Sequence, residues 1–539
     1  MFHPGWRSRA LAGLGEPFDL IVVGGGITGC GVLMDAAQRG LRVLLIEKGD
    51  LASGTSSRSS KLIHGGLRYL KQMRLHLTRQ ACRERDRMLS LSPHLVRPVL
   101  FLYPIYRGDR PAGWQVDLGL RVYDRMTAGE PHRQADPDEV ERLAPGTPAE
   151  GIDRALVYRD ALTDDALLTL AVAGTGFAYG GLVLTRAAPE EAVRDATGRI
   201  RGLEIRDLET GEVHTAEARL VVNATGAWVD ELRHRLGFPD RRVRPSRGSH
   251  LIFPREKLPI TAAVTLPSPD DRRPVFFIPH PEGVLAGTTD LFHEGGLDDP
   301  RPSAAEAAYL LRAVQKAFPG RGISEADVRG AFAGVRPIVD AGAANPSAAS
   351  REEAVWEEQG LLSVAGGKLT TWRPMAEEVV DRVLRLLPIE RARAAAPGAT
   401  AGTPVGALAP LDLPQRLRAA RGLEPDVAAG MARRLGGLAW AACQETRDPS
   451  ELRPLLEGTD LCAAEARAHL RYGAVIRLED LLLRRARVGM WSPDLARELV
   501  PRLEPLLREE MGWNARRWER EMEETARAVD AWSPEGITR

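Results

Sequence analysis

Three short stretches of the chain place histidine, arginine or lysine beside glycine: His64-Gly65-Gly66-Leu67-Arg68-Tyr69, Gly334-Val335-Arg336-Pro337 and Gly366-Gly367-Lys368-Leu369-Thr370-Thr371. Glycine lets the backbone lie close to a flat ring or an anion. Histidine can act as a base near neutral pH, and arginine can bind a phosphate through paired hydrogen bonds. Each stretch taken alone is also compatible with a turn that carries a solvated charge. Together they favour a binding site over three unrelated turns.

A fourth glycine turn, Gly24-Gly25-Gly26-Ile27-Thr28-Gly29, follows directly on the apolar run Phe18 to Val23. In this pattern the first glycine permits a tight turn, the second lets the backbone approach a pyrophosphate, and the third lets a helix pack closely on a strand. Ile27 to Arg39 predicts that helix, ending at Gly40, so the phosphates would lie at its N-terminus. A purely structural glycine turn is the alternative.

The strand predicted for Leu41 to Ile46 completes a β-α-β unit and runs into Glu47. An acid at this position is suited to binding a ribose 2′-hydroxyl, which favours FAD or NAD over NADP. The polar stretch Ala52 to Lys61 follows. Its hydroxyls and amides could reach a second phosphate and the flavin side of a cofactor, although a flexible polar loop is the alternative interpretation.

Two more apolar runs end in glycine turns, which predicts a discontinuous cofactor domain. Arg219 to Asn223 runs into Ala224-Thr225-Gly226, and Leu361 to Val364 runs into Gly366. Between them, Pro245 to Gly287 contains short β-rich runs separated by proline and glycine. That pattern is typical of an antiparallel sheet, which we expect in a second, substrate-facing domain.

Composition sets limits on the remaining functions. A chain of 539 residues predicts two or three domains, and its 73 basic and 73 acidic residues give no net field that would attract nucleic acid. The histidines are scattered, so no metal site is expected. No apolar run is long enough to span a membrane, and Met1 to Glu16 lacks the apolar core of a signal peptide. The cysteines, expected to be buried and reduced in a cytoplasmic protein, are Cys30, Cys82, Cys443 and Cys462.

The C-terminal quarter differs in composition from the rest. Ala394 to Pro410 is rich in alanine, glycine and proline and predicts a linker. Leu411 to Arg539 is rich in alanine, leucine, arginine and glutamate and predicts a helical domain. The predicted divisions are an N-terminal extension (1–17), a cofactor domain in three parts (18–98, 151–243, 330–393), a cap in two parts (99–150, 244–329), the linker (394–410) and the helical domain (411–539).

The chain resembles the FAD-dependent, quinone-linked (aerobic) glycerol-3-phosphate dehydrogenases over roughly residues 18 to 500. The resemblance is carried by the stretches above together with Ile21 to Gly31, Thr55-Ser56-Ser57, Ser60 to Leu70, Asn223 to Val229, Gly248-Ser249-His250, Gly287-Thr288-Thr289-Asp290 and Asp480 to Arg485. It implies an α/β fold with a Rossmann-like FAD-binding domain of the glutathione-reductase/D-amino-acid-oxidase type. It also implies an antiparallel-sheet substrate cap and a C-terminal all-helical domain.

The same resemblance implies oxidation of sn-glycerol 3-phosphate to dihydroxyacetone phosphate, with a hydride passing from C2 to flavin N5 and electrons to a membrane quinone. By resemblance, His64 and His250 are candidates for the base and Arg336 would lie beside the reacting hydroxyl. Arg68, Tyr69 and Lys368 would hold the substrate. The residues expected to bind FAD are Gly24, Gly26, Ile27, Thr28, Gly29, Glu47, Lys48, Thr55, Ser56, Ser57, Lys61, Leu62, His64, Gly66, Val183, Ala224, Thr225, Gly226, Gly334, Gly367, Lys368, Leu369 and Thr370.

A quinone acceptor implies a protein bound peripherally to the inner face of the cell membrane. Arg110 to Met126 could supply that contact as an interfacial helix, but it also alternates as a strand would, so an ordinary cap element is an equal alternative. A glycerol-3-phosphate oxidase that reduces oxygen to peroxide is the nearest competing function. A non-catalytic FAD-binding protein is another. The oligomeric state stays open, with a homodimer as one expectation.

Overall fold

The computed structural model describes residues 1–67, 73–340, 342, 353–388, 390–391, 403 and 405–537, so Arg68, Tyr69 and most of the predicted linker lie outside the described residues. The strands are β1 (Phe18–Val23), β2 (Val43–Glu47), β3 (Leu62–Ile63), β4 (Val96–Tyr106), β5 (Arg133–Gln134), β6 (Ile152–Thr163), β7 (Leu182–Thr185), β8 (Ala187–Arg194), β9 (Ile200–Asp207), β10 (Val213–Asn223), β11 (Val243–Phe253), β12 (Ala263–Pro267), β13 (Pro274–His280), β14 (Gly283–Gly287), β15 (Leu291–Phe292), β16 (Gly330–Val339), β17 (Ala354–Glu358) and β18 (Leu361–Ala365).

The α-helices are α1 (Trp6–Ala12), α2 (Ile27–Gln38), α3 (Leu75–Leu91), α4 (Gly113–Asp124), α5 (Pro137–Leu143), α6 (Asp165–Ala178), α7 (Val229–Arg235), α8 (Ala304–Ala317), α9 (Trp372–Leu386), α10 (Leu413–Arg421), α11 (Pro425–Leu435), α12 (Leu438–Gln444), α13 (Ala463–Tyr472), α14 (Leu478–Asp480), α15 (Val488–Trp491), α16 (Pro493–Met511) and α17 (Ala515–Asp530). A π-helical turn, Leu481–Arg485, lies between α14 and α15.

The first sheet is built around the predicted β-α-β unit. Its strands run in the order β17-β18-β10-β1-β2-β7, parallel from β18 to β7, with β17 antiparallel at the edge and β8 and β9 continuing from β10. Every residue of β1 is buried, as in parallel sheets that are covered on both faces. On one face, α2 packs against α6 and α9. This is the predicted Rossmann-like layer.

The second sheet confirms the antiparallel prediction for Pro245 to Gly287. Its order is β15-β11-β14-β13-β12-β4-β6-β3, with β16 paired to β11 and β5 to β6. The pairing is antiparallel except between β12 and β4. Leu310 and Val314 of α8 pack into the core of this sheet.

Three strands differ from the predicted divisions. β3 falls within 18–98, β6 within 151–243 and β16 within 330–393, all assigned to the cofactor domain, yet each pairs in the second sheet. Their sequences show only that they are strands, because the partner of a strand is chosen by distant residues. The domain limits themselves stay a prediction.

The ends of the chain are folded onto these layers. The segment 1–17, predicted as a tail or extension, contains α1, and Phe2 and Trp6 pack into the core beside Phe177. Beyond residue 405 the described chain is built from helices α10 to α17 around two apolar cores, which confirms the predicted helical domain. In the described residues, none of the helices is long and apolar enough to cross a membrane.

The ambiguous segment Arg110 to Met126 is helical. Within it, α4 buries Leu120 and Tyr123 and leaves Trp114 and Leu118 60% and 56% exposed. The alternation of apolar residues therefore reflects two faces of a helix, one against the second sheet and one outward.

Candidate active site

One large cavity of about 1950 Å³ lies between the two sheets. It brings together side chains from the carboxyl ends of the first sheet and from the facing strands of the second. The predicted site residues that line it are Gly24, Gly26, Ile27, Thr28, Glu47, Lys48, Thr55, Ser56, Leu62, His64, Gly66, Ala224, Thr225, Gly226, His250, Gly334, Arg336, Gly367, Lys368, Leu369 and Thr370.

The turn after β1 has the geometry that a dinucleotide requires. Gly24 has a φ of 113°, in the region that favours glycine, and its amide donates to the Ile46 carbonyl at 2.8 Å. A Cβ on Gly29 would run into the carbonyl oxygen of Gly24. Gly29 therefore allows α2 to pack closely against the turn, and it does not itself line the cavity. The N-terminus of α2 is left facing the cavity, where it can bind an anion.

Glu47 closes the turn from the side. Its carboxylate accepts hydrogen bonds from the amides of Gly25 at 2.6 Å and Gly49 at 2.7 Å, and burial raises the pKa of the carboxyl above its ordinary value. The acid is therefore fixed at the end of β2, where the sequence pattern places the ribose contact. The glycine turn, the anchored acid and the cavity together fit a bound dinucleotide.

The polar stretch after Glu47 is ordered by hydrogen bonds. Ser56 Oγ accepts from the Ile27 amide at 2.9 Å, which ties the stretch to the start of α2, and Thr55 Oγ1 donates to the Val335 carbonyl at 2.5 Å. Ser57 is buried and its hydroxyl donates to the Gly54 carbonyl. The stretch is thus a fixed wall of the cavity and not a flexible loop.

Four predicted cofactor residues do not line the cavity: Gly29, Ser57, Lys61 and Val183. The Nζ of Lys61 is fully buried, 2.5 Å from Asp165 Oδ1 and 3.1 Å from the Ser57 carbonyl. Val183 lies within β7, paired with Leu45 in the first sheet. Their roles in cofactor binding stay predictions.

His250 projects from β11 into the centre of the cavity. Its Nε2 is 2.8 Å from Ser60 Oγ, its ring stacks on Phe332 at 4.8 Å, and its Nδ1 has no hydrogen-bond partner among the described residues. Burial, together with the charges of Arg336 and Lys61, holds its pKa well below the ordinary value. These surroundings favour the neutral form of the ring.

Arg336 lies beside His250 on the neighbouring strand. Its guanidinium is 3.2 Å from Asp290 Oδ1 and 3.0 Å from Thr288 Oγ1. Gly248 makes room for it, because a Cβ there would meet the guanidinium and the Thr288 hydroxyl. This holds a cation in the cavity lining, near enough to His250 for its charge to lower the pKa of that imidazole.

The stretches of His64 and Lys368 meet at the same place. The His64 amide donates to Thr370 Oγ1 at 3.2 Å, which joins the end of β3 to the glycine turn after β18. The next amide, of Gly65, is 3.0 Å from the Tyr123 hydroxyl. Tyr123 donates in turn to Asp160 at 3.0 Å.

Several residues of this site were not singled out from the sequence. Ser60, Thr288 and Asp290 lie within stretches that carried the resemblance, yet nothing local shows that they hold His250 and Arg336. Tyr123 and Asp160 lie outside those stretches and reach the Gly65 amide only through the tertiary fold.

The cavity also has an apolar arm. Phe101, Ile105 and Phe276 of the second sheet and Leu120 of α4 line it. The same cavity is also lined by Trp114 and Leu118 of α4 and by Met73 and Leu75, which are 78% and 42% exposed. The lining therefore includes polar side chains, buried apolar side chains and an exposed apolar rim, defined here by Met73, Leu75, Trp114 and Leu118.

Two family models match the chain. The model described as FAD dependent oxidoreductase matches residues 19–381, and the model described as the C-terminal domain of alpha-glycerophosphate oxidase matches residues 397–518. Glycerol-3-phosphate dehydrogenase 2 of Mycobacterium tuberculosis (strain ATCC 25618 / H37Rv) is 34% identical over 542 residues, 98% of this chain and 91% of its own. Aerobic glycerol-3-phosphate dehydrogenase of Staphylococcus haemolyticus is 35% identical over 395 residues, 72% and 71% of the two chains.

Solved structures agree with these matches. The glycerol-3-phosphate dehydrogenase from Bacillus halodurans, complexed with FAD, superposes with a TM-score of 0.80 at 26% identity over 100% of both chains. The L-alpha-glycerophosphate oxidase from Mycoplasma pneumoniae shares the fold, with a TM-score of 0.51 at 18% identity over 72% of this chain and 98% of its own. The chain therefore belongs to the FAD-dependent glycerol-3-phosphate dehydrogenase family, and its cofactor is FAD.

Proposed function

We propose that this chain oxidises sn-glycerol 3-phosphate to dihydroxyacetone phosphate. Relatives 34% and 35% identical to it carry the name glycerol-3-phosphate dehydrogenase. The observation that carries the proposal is the inner end of the cavity. There His64, His250, Arg336 and Lys368 line the same space as the dinucleotide turn.

The reaction removes a hydride from C2 of the substrate and a proton from the hydroxyl on that carbon. Bound FAD supplies the hydride acceptor at flavin N5. The chain must then supply a base for the proton, a cation beside the oxygen that gains negative charge, and cations for the phosphate.

The base is one of two histidines. His250 lines the cavity and is oriented by Ser60, with its Nδ1 unpartnered among the described residues. His64 lines the same cavity and is positioned through its backbone contact with Thr370. The variants His64→Asn and His250→Asn distinguish the two candidates. Loss of the base is expected to slow flavin reduction far more than it raises KM.

Arg336 is the cation proposed to face the reacting oxygen. Asp290 and Thr288 hold its guanidinium in one orientation, and Gly248 leaves the space that it occupies. A preorganised cation of this kind stabilises negative charge as it develops. Lys368, with Arg68 and Tyr69, is proposed to bind the phosphate.

Anaerobic addition of glycerol 3-phosphate to the purified holoenzyme tests the function. We expect the yellow absorbance of the flavin to bleach, and one dihydroxyacetone phosphate to form for each flavin reduced. Glycerol without phosphate is the control and should leave the spectrum unchanged. A spectrum that does not respond to glycerol 3-phosphate would favour the non-catalytic alternative.

A membrane quinone is the proposed electron acceptor. The apolar arm, whose residues line the same cavity as the exposed rim, suits a flat apolar ring better than a polar acceptor. Oxygen needs no such arm. The reoxidation rate with a soluble quinone analogue, compared with the peroxide yield under air, separates a dehydrogenase from an oxidase.

Peripheral binding to the inner face of the cell membrane is proposed on the same grounds. The rim of Met73, Leu75, Trp114 and Leu118 is apolar and exposed, and it lines the same cavity as the arm. Activity that sediments with membranes and is released by high salt or mild detergent supports this placement. Activity found wholly in the supernatant contradicts it.

A further inference from the structure

The stretch Asp50 to Lys61 forms one wall of the cofactor cavity, yet it has little apolar anchorage of its own. Leu51 and Ala52 are its buried apolar residues, and the rest is mainly serine, threonine, glycine and charge. It nevertheless carries Ser56, bonded to the start of α2, and Ser60, bonded to His250. Its position therefore depends on polar contacts from elsewhere in the fold.

The first such contact is at the beginning of this stretch. Arg485 of the π-helical turn forks onto both carboxylate oxygens of Asp50, at 2.8 Å for Oδ1, and Arg484 bonds the same carboxylate. Asp50 and Arg485 are fully buried. A bidentate pair of this kind fixes orientation as well as distance. The C-terminal helical domain thus fixes the beginning of the stretch.

The second contact is at the other end. Arg487 lies 2.8 Å from Asp164 Oδ2 and 3.1 Å from Asp165 Oδ1. Asp165 in turn accepts from the Ser59 amide at 2.9 Å and from Lys61 Nζ at 2.5 Å. Arg487, Lys61 and Asp165 are buried and Asp164 is partly exposed, and the two cations, Arg487 and Lys61, balance the two aspartates.

We propose that Arg485 and Arg487 of the C-terminal domain are positioning residues for FAD binding, acting through Asp50 and Asp165 on both ends of the cavity wall. Neither arginine lines the cavity. Each acts by holding a carboxylate that holds the wall. The inference requires FAD, which the family establishes, and does not depend on the substrate.

Lysine substitution tests the role while keeping the buried charge. Arg485→Lys and Arg487→Lys lose the paired hydrogen bonds of the guanidinium group and retain its positive charge. The carboxylates are therefore not left without a cation. Arg467→Lys is the matched control, because Arg467 is equally buried and pairs with Glu451 and Glu510 inside the C-terminal domain. We expect the Kd for FAD, titrated into apoprotein by flavin fluorescence, to rise at least tenfold in the first two variants.

The same variants should release flavin at a lower temperature than that at which the helical circular dichroism is lost. Arg467→Lys should keep the wild-type Kd and lose both signals together. A Kd within twofold of wild type in both test variants overturns the proposal. An equal rise in Arg467→Lys also overturns it, because the effect would then be general loss of stability.

Amide hydrogen exchange of the holoenzyme is a second test of the proposal, and it needs no apoprotein. The Ser59 amide should exchange faster in Arg487→Lys, since Asp165, which accepts its hydrogen bond, loses the arginine that orients it, while amides of β1 keep their protection. Unchanged exchange across residues 52–61 would contradict the role of Arg487.

Discussion

Arg336 is held in the cavity from two sides, by Asp290 and by Thr288, and its charge helps to lower the pKa of His250. We expect Arg336→Ala to lower kcat by about 10²- to 10³-fold, since a preorganised charge at the reacting oxygen is lost. FAD should remain bound, because the dinucleotide turn is unaffected. Steady-state kinetics with glycerol 3-phosphate, together with the flavin spectrum of the purified variant, check this. Near-normal turnover would exclude the proposed role.

Gly248 gives a less direct way to move the same guanidinium. A methyl group at this position would meet the Arg336 guanidinium and the Thr288 hydroxyl. We therefore expect Gly248→Ala to lower kcat at least tenfold with its fold intact, an order-of-magnitude estimate for a misplaced catalytic group. Gly296→Ala is the matched control, because its Cβ would meet nothing within 4 Å. Equal activities of the two variants would contradict the packing argument.

Several elements and much of the cavity could be predicted because their signals are local. The β-α-β unit was predicted almost residue for residue, from an apolar run, a glycine turn and a second apolar run. The glycine turns after β1, β10 and β18 meet because these are neighbouring parallel strands, whose carboxyl ends share one edge of the sheet. Sites at such an edge are readable from the strands that lead into them.

What could not be predicted depends on contacts between distant residues. Lys61 was expected at the cofactor, but it pairs with Asp165, more than 100 positions away, in the interior. The sheet to which β6 and β16 belong depends in the same way on their partners β4 and β11. A charged residue or a strand is visible in a sequence, whereas its partner is not.

α4 links the rim to the interior and allows a test of membrane binding. Trp114 and Leu118 lie one turn apart on its exposed face, while Tyr123 on its buried face reaches the Gly65 amide. We expect the double substitution Trp114→Ser, Leu118→Ser to reduce co-sedimentation with anionic vesicles by roughly tenfold or more, because it removes apolar area that would be buried at the membrane. Turnover with a soluble acceptor should stay within about twofold, since neither side chain lies at the proposed reacting centre.

Leu411→Ser serves as the control for that experiment. Leu411 is 83% exposed and lies at the start of the C-terminal helices, so it is apolar and accessible but remote in sequence from the rim. It should leave vesicle binding unchanged. Equal vesicle binding by the rim variant and the wild type would show that the rim is not the contact surface.

The molecule as a whole is joined by polar and apolar contacts between its layers. Trp6 of α1 and Phe2, which precedes that helix, pack into the core beside the first sheet. The C-terminal domain reaches Asp50 and Asp165 with buried arginines. His94, just before β4, packs against the backbone at Gly406 and Gly436 of the C-terminal region. The cofactor cavity is therefore supported from segments at both ends of the chain.

His94 makes the stability of the fold sensitive to acid at this contact with the C-terminal region. Burial lowers its pKa to about 4, and its Nδ1 has no hydrogen-bond partner among the described residues. As pH falls below 6.5, the unfolded chain gains a proton on this residue that the folded chain does not, so stability is lost. One histidine contributes a loss of about 2 kcal/mol in the free energy of unfolding between pH 7 and pH 5.

His94→Gln isolates this contribution from the other titrating groups. We expect the apparent melting temperature to fall less from pH 7 to pH 5 in this variant than in the wild type, because one buried imidazole no longer has to stay neutral. His234→Gln, at an exposed position on α7, should behave like the wild type. Buried carboxyls such as Asp35, with a pKa raised to about 6, act in the opposite direction, but they are common to all three proteins and cancel in the comparison. Parallel pH dependences in His94→Gln and the wild type would show that His94 does not couple the two regions to acid.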